Sequence, residues 1–240
     1  MNAIDIAPHS MADLSGQRAI VIGAGYGVGP AVVSAIAAAG ATVISDDADA
    51  SAGGYIASDG TPTEFIDRCV EKLGGIDVLV VSSRPVKNKP VLDMTSEEMR
   101  GVAEEELVLP ALQMQEAARR MVQAGYGRII VFASMSAKTG VHHDVAPYAA
   151  AKGGLLAFAR VLAAETAEHG VTVNGIATAL FEPQVKTMTE EKRTRLKGAI
   201  PVGRFGRSEE AAHAVLFLAS DNAGFVTGEC MNLSGGRFMD

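Results

Sequence analysis

Residues 19–39 read AIVIGAGYGVGPAVVSAIAAA: an apolar run, then a glycine cluster, then an alanine-rich stretch. Ala19 to Ile22 is short, apolar and rich in β-branched side chains, which predicts a buried strand. Pro30 suits a first helical turn and Gly40 a helix stop, so a helix is expected from about Pro30 to Ala39. Between strand and helix, Gly23, Gly25, Gly27 and Gly29 leave the backbone bare. Such a turn lets a pyrophosphate approach the positive end of the helix. The spacing is G-x-x-x-G-x-G through Gly23, Gly27 and Gly29, with Tyr26 inside the loop. Val28 stands where G-x-G-x-x-G would need its last glycine.

The same alternation continues outward. Strands are expected at Thr42–Ser45, Ile76–Val81, Arg128–Ala133, Val171–Ile176 and Glu229–Leu233. Helices are expected at Glu64–Leu73, Ser96–Gln123 with Pro110 as a kink, Tyr148–Ala167 and Ser208–Ala219. Strands that are almost continuously apolar imply a parallel sheet covered on both faces. No Pro/Gly/Ser-rich linker divides the chain, so one doubly wound α/β domain is expected over 1–240, with residues 1–14 as an N-terminal extension.

The 240 residues suffice for one well-buried domain. A net charge of −7 argues against nucleic acid or an anionic membrane as partner. Cys69 and Cys230 are far apart and form neither a disulfide framework nor a metal-ligand spacing, which fits a reducing compartment. No basic segment followed by an apolar one opens the chain, and no apolar run reaches membrane-spanning length. A cytoplasmic location is expected, with no metal.

Two further clusters carry chemistry. Asp47 lies just past the second strand, about 20 residues after the loop, where a carboxylate accepts bonds from an adenosine ribose. Asp46 and Asp49 flank it without a nearby Arg or Lys, so a ribose 2′-phosphate would meet negative charge and NAD is favoured over NADP. A solvated acidic turn would read the same way. Tyr148 and Lys152 are spaced i, i+4, on one face of the long helix. An ammonium beside a phenol lowers its pKa toward neutrality and makes it a usable acid and base. Ser134 ends the strand RIIVFAS at the sheet edge where open α/β folds bind ligands.

With these residues in place, the chain resembles the short-chain dehydrogenase/reductase family along nearly its whole length. The glycine loop, IDVLV, GRIIVFAS, YAAAKGG, VTVNGIA and the tail PVGRFGRSEEAAHAVLFLASDNAGFVTGE with LSGG follow its pattern in order. The resemblance implies a Rossmann-type domain with a central parallel sheet of about seven strands and helices on both faces. It implies Tyr148 as general acid/base, Lys152 as its activator and nicotinamide-ribose ligand, and Ser134 as holder of the substrate oxygen. It places Asp47 on the ribose and Asp59 beside the adenine. Gly23, Tyr26, Gly27, Val28, Gly29, Ser82 and Phe181 are then expected to contact NAD. A homotetramer, or a dimer, is implied, with long helices pairing between subunits and an alcohol or ketone as substrate.

Several positions depart from the family. Its N-N-A-G is here Val81-Ser82-Ser83-Arg84, and its proton-relay asparagine aligns with Glu106. Glu106 either substitutes in the relay or points away. Thr178-Ala179 replaces Pro-Gly, Pro183 replaces a threonine, and the segment from Asp47 to Asp59 is too short for the usual helix. The short segment and the altered N-N-A-G resemble the halohydrin dehalogenases, which abandoned NAD. Those enzymes carry a bulky aromatic in the glycine loop and arginine for the lysine, whereas this chain has Gly27 and Lys152.

His142-His143-Asp144 precedes Tyr148 and reads as a solvated loop, with a substrate or metal contact as the alternative. Glu190 to Lys197 reads as a solvated helix face where the family's mobile lid lies. Met188 and Phe181 are candidates for the substrate pocket. The expected reaction is hydride transfer between NAD(H) and a secondary alcohol or ketone. The rivals are a non-redox enzyme reusing Ser134 and Tyr148, such as a lyase, epimerase or dehalogenase-like protein, and a non-catalytic nucleotide-sensing protein.

Overall fold

The computed structural model describes residues 12–50, 53–82, 84–86, 88–140 and 142–240. Most of the expected N-terminal extension, and Ser83 of the altered N-N-A-G, lie outside them. Leu14 does not belong to an extension: it is fully buried, and its N–H donates to the Ala39 carbonyl at 2.8 Å.

Seven parallel strands form one sheet: β1 (Arg18–Ile22), β2 (Thr42–Ser45), β3 (Gly54–Tyr55), β4 (Val78–Val81), β5 (Gly127–Ser134), β6 (Val171–Thr178) and β7 (Cys230–Leu233). Their order is 3-2-1-4-5-6-7. Alternate side chains of each strand enter different cores. Ala19, Val21, Val78, Val80, Ile130 and Phe132 pack with helices α1 (Gly29–Ala38) and α9 (Ser208–Ala219). Ile20, Ile22, Leu79, Val81, Ile129 and Val131 pack with α2 (Pro62–Leu73), α4 (Leu109–Ala124) and α6 (Ala146–Thr166). Both faces being apolar is why the strand runs are continuous rather than alternating.

Among the described residues the remaining α-helices are α3 (Ser96–Ala103), the short α5 (Ser136–Thr139) and α7 (Glu182–Val185), and α8 (Glu190–Gly198). The helix expected over Ser96–Gln123 is instead three pieces. Between α3 and α4, residues Glu104–Val108 form a π-helical turn in which the Leu109 N–H reaches the Glu104 carbonyl. Pro110 is the physical reason. It has no N–H to give the Glu106 carbonyl four residues back, and its ring crowds that carbonyl, so the helix widens just before it. The widening turns Glu106 inward to 6 % exposure while Glu104 and Glu105 stay exposed. Among the described residues no helix separates β2 from β3, as the short segment predicts.

Candidate active site

Strand order reverses between β2 and β4, the two neighbours of β1, and open sheets of this kind bind ligands outside the carboxyl ends of the strands at that point. The loop from β1 into α1 lies there. The Gly29 N–H bonds the Tyr26 carbonyl at 2.8 Å, and a Cβ on Gly29 would come within 2.4 Å of the Ala24 oxygen. Glycine alone lets the helix start this close to the strand end. Ser82, at the end of β4, closes one side: its N–H donates to the Ile22 carbonyl at 2.8 Å, and it stands against Gly23. Val28 turns its side chain into the core, and Tyr26 stands half-exposed outside.

Asp47 lies against this loop. Its Oδ1 accepts the N–H groups of Asp49 and Ala50 at 3.0 and 2.9 Å, while its Oδ2 covers the bare Cα of Gly25. Asp46 adds a contact the sequence did not announce. Its carboxylate accepts the N–H groups of Gly23 and Ala24 at 2.9 and 3.0 Å, tying the end of β2 to the glycine loop. The parallel register that sets Val21 opposite Ser45 brings the two together.

Two expected cofactor contacts are otherwise engaged. Asp59 follows β3 as anticipated, but its carboxylate pairs with Arg68 at 2.5 Å, so an adenine would have to share it. The Phe181 ring is 2 % exposed, packed with the α1–α9 core and against Gly206, and its N–H donates to Gln184 Oε1 at 2.8 Å. The ring packs as a core residue and also borders a pocket with Ala179, Ile200 and Ser234. Met188 packs beside Val185, Ile200 and Phe205.

Ser134 ends β5, and Tyr148 and Lys152 lie in the first two turns of α6, with Pro147 in the first. Lys152 is 1 % exposed. Its Nζ donates to the Phe132 carbonyl at 3.1 Å, lies 3.0 Å from Glu106 Oε2, and stands 5.8 Å from the centre of the Tyr148 ring. Burial pushes the Lys152 pKa below the ordinary lysine value, and the Glu106 carboxylate pulls it back only in part. Glu106 therefore faces the site and does not point away. Ser134 Oγ has a neighbour that sequence reasoning missed: it accepts the Ser136 N–H at 3.2 Å and the Ser136 hydroxyl at 2.8 Å.

In the loop before Tyr148, His143 and Asp144 are exposed, as a solvated loop requires, while His142 Nδ1 sits 3.2 Å from Thr139 Oγ1. Burial, with the Arg237 charge, lowers the His142 pKa. Among the described residues no three His, Cys, Asp or Glu side chains converge as metal ligands, and no helix is long and apolar enough to cross a membrane.

Comparison with known proteins agrees with this architecture. A family model described as enoyl-(acyl carrier protein) reductase matches residues 23–237. The 3-oxoacyl-[acyl-carrier-protein] reductase FabG of Escherichia coli K12 is 32 % identical over 243 residues, covering 95 % of this chain and 99 % of that one. A short-chain type dehydrogenase/reductase from Mycobacterium marinum superposes with a TM-score of 0.85 at 30 % identity, over 95 % of this chain and 98 % of its own. A structure described as a dehalogenation enzyme gives 0.85 at 24 % identity, over 94 % and 100 %, and shares the fold alone. The chain belongs to the short-chain dehydrogenase/reductase family, an oxidoreductase family that works with nicotinamide cofactors.

Proposed function

We propose that the chain is an NAD-dependent dehydrogenase or reductase that interconverts a secondary alcohol and a ketone. The observation carrying this reading is the buried Lys152 ammonium, beside Tyr148 and donating to the Phe132 carbonyl two residues before Ser134. The cradle suits a dinucleotide. The backbone around Gly27 and Gly29 would take the pyrophosphate, Asp47 the adenosine ribose, and Lys152 the nicotinamide ribose. Asp46 and Asp47 both press carboxylates on the glycine loop, which disfavours a 2′-phosphate there and supports NAD over NADP.

When bound, the nicotinamide ring accepts or returns the hydride. In the oxidative direction Tyr148, as phenolate, takes the proton of the alcohol hydroxyl while the carbon gives up its hydride, and in reduction Tyr148 returns that proton. Ser134 donates a hydrogen bond to the substrate oxygen throughout. Lys152 stabilises the phenolate, and Glu106 holds the ammonium in place and compensates its burial. Val108, Leu112 and Val161 expose 39 %, 40 % and 59 % of their surface along the α4 and α6 region, which supports pairing of these helices in a homotetramer. Light scattering should then give a mass near four times 24.9 kDa, and a monomer mass would end that part of the reading.

The test is a fluorescence titration with NADH and NADPH, followed by turnover on acetoacetyl-coenzyme A, ethyl acetoacetate and cyclohexanone. NADH should bind at least about tenfold more tightly than NADPH, and one or more of the ketones should be reduced. The Glu106–Lys152 pair favours one rival, because a carboxylate already holding the lysine competes with a ribose for it. Binding of neither nucleotide would move a non-redox use of Ser134 and Tyr148 to first place.

A further inference from the structure

Ser136 is 5 % exposed, sits at the start of α5, and has no task in the reaction just described. Its hydroxyl lies 2.8 Å from Ser134 Oγ, and its N–H points at the same oxygen from 3.2 Å. A serine hydroxyl carries one hydrogen and two acceptor positions. With both acceptor positions filled from Ser136, the one hydrogen of Ser134 has to leave in another direction. We propose that Ser136 is a positioning residue that makes Ser134 a one-way donor toward the substrate oxygen. This rests on the dehydrogenase reading of Ser134 and deepens it.

The direction of the bond follows from burial. The Ser136 hydroxyl is enclosed, and a buried donor left without an acceptor is more costly than one that water can reach. Ser134 is only half-buried, so its own hydrogen can reach water or a bound substrate. The reverse arrangement, with Ser134 donating to Ser136, would present lone pairs to a substrate oxygen that gains negative charge as it becomes an alkoxide. A chain of donors running Ser136 to Ser134 to substrate has the polarity the reaction needs, and each bond polarises the next.

The geometry is also held from both ends. The Met135 N–H donates to the Thr178 carbonyl on β6 at 3.1 Å, which fixes the turn that leads into α5. At the other end Lys138 reaches β7, donating to Asn232 Oδ1 at 2.8 Å and the Cys230 carbonyl at 3.3 Å, and it pairs with Asp240. A four-residue helix has little stability of its own, so these anchors are what keep Ser136 under Ser134.

The experiment is a double-mutant cycle on Ser134→Ala and Ser136→Ala, with NADH and whichever panel ketone the wild type reduces fastest. Ser136→Ala keeps the backbone N–H and loses only the hydroxyl, so kcat should fall about tenfold with KM changed less than about twofold. NADH affinity and the midpoint of the pH–rate profile should stay where they are, and Ser136→Thr should restore most of the rate. In the Ser134→Ala background, Ser136→Ala should cost nothing further, because its effect passes through the missing hydroxyl. A loss that persists in that background, or that falls on KM or on NADH binding, would assign Ser136 a merely structural part and overturn the proposal. So would a Ser136→Ala variant indistinguishable from wild type. A wild type inactive toward every ketone overturns the dehydrogenase reading itself, whereas an active wild type with an indifferent variant overturns only the role of Ser136.

Discussion

A carboxylate raises the proton affinity of every group around it, because negative charge stabilises any bound proton. Glu106 does this to Lys152, 3.0 Å away, opposing the burial that lowers the lysine pKa. Glu106→Gln therefore lets Lys152 lose its proton at lower pH, and the same loss of negative charge eases departure of the phenolic proton of Tyr148. Both limbs of the pH–rate profile for alcohol oxidation should move to lower pH by one unit or more, since a charge about 4 Å away at an effective dielectric near 20 contributes about 4 kcal/mol and one unit corresponds to about 1.4 kcal/mol. Measuring kcat/KM for wild type and variant from roughly pH 5 to 10 decides it. An unmoved profile would leave Glu106 a packing role only. Single residues also mark where sequence reading stopped. Tyr148 and Lys152 were legible because their partnership depends on spacing within one helix. Asp46 and Ser136 were not, since one needs the register of β1 on β2 and the other the turn at the end of β5.

The widened turn at Glu104–Val108 shows how an element can carry a catalytic arrangement. Its cause was visible as Pro110, and a kink there was expected. Its form was not, because an inserted helical residue shifts the apolar periodicity by a single step, which a pattern of this length does not resolve. The two-residue strand β3 escaped for a related reason, as Gly54–Tyr55 is too short to show any alternation. The long elements were legible to within two or three residues because both faces of their strands, or one face of their helices, had to be buried. Pro110→Ala tests what the turn is for. It returns the N–H that the Glu106 carbonyl lacks and removes the crowding ring, so a regular α-helix becomes available across the turn. Closing the turn rotates Glu106 by about 100° relative to α4, away from Lys152. The variant regains what proline costs in a helix but leaves the buried Lys152 ammonium without its carboxylate, so its urea midpoint should not rise, while kcat/KM falls about tenfold. Full activity with added stability would mean that the Glu106–Lys152 pair, not the proline, holds the turn open.

Across the whole molecule the sheet divides its labour between its two edges. The carboxyl ends of the strands hold bare glycines, two carboxylates pressed on a loop, and a buried ammonium, none of which a stable fold requires. The opposite edge holds ion pairs with no evident chemistry. Arg128 stacks 4.4 Å over the Tyr126 ring and reaches the Gly170 carbonyl at 3.2 Å. Arg18, at the start of β1, surrounds Asp77 just before β4: its N–H, Nε and Nη2 donate to the carboxylate at 2.8, 2.7 and 2.7 Å. Burial alone would raise the Asp77 pKa, but these bonds outweigh it and leave the carboxyl below the ordinary aspartate value. A carboxyl with a depressed folded-state pKa contributes stability that is fully present above its unfolded value of about 3.9 and disappears as pH falls through the folded value. Asp77→Asn removes the charge but keeps one acceptor, so it should cost about 2 kcal/mol at neutral pH. The gap between wild-type and variant urea midpoints should narrow steadily as the pH is lowered below about 4, where the wild type loses the same charge. Because this pair lies at the end of the sheet away from Ser134 and Tyr148, NADH affinity and kcat should be unchanged in the folded variant. A midpoint gap that stays constant down to acid pH would mean the carboxylate charge contributes nothing, and that Asp77 serves only as a neutral hydrogen-bond acceptor tying β1 to β4.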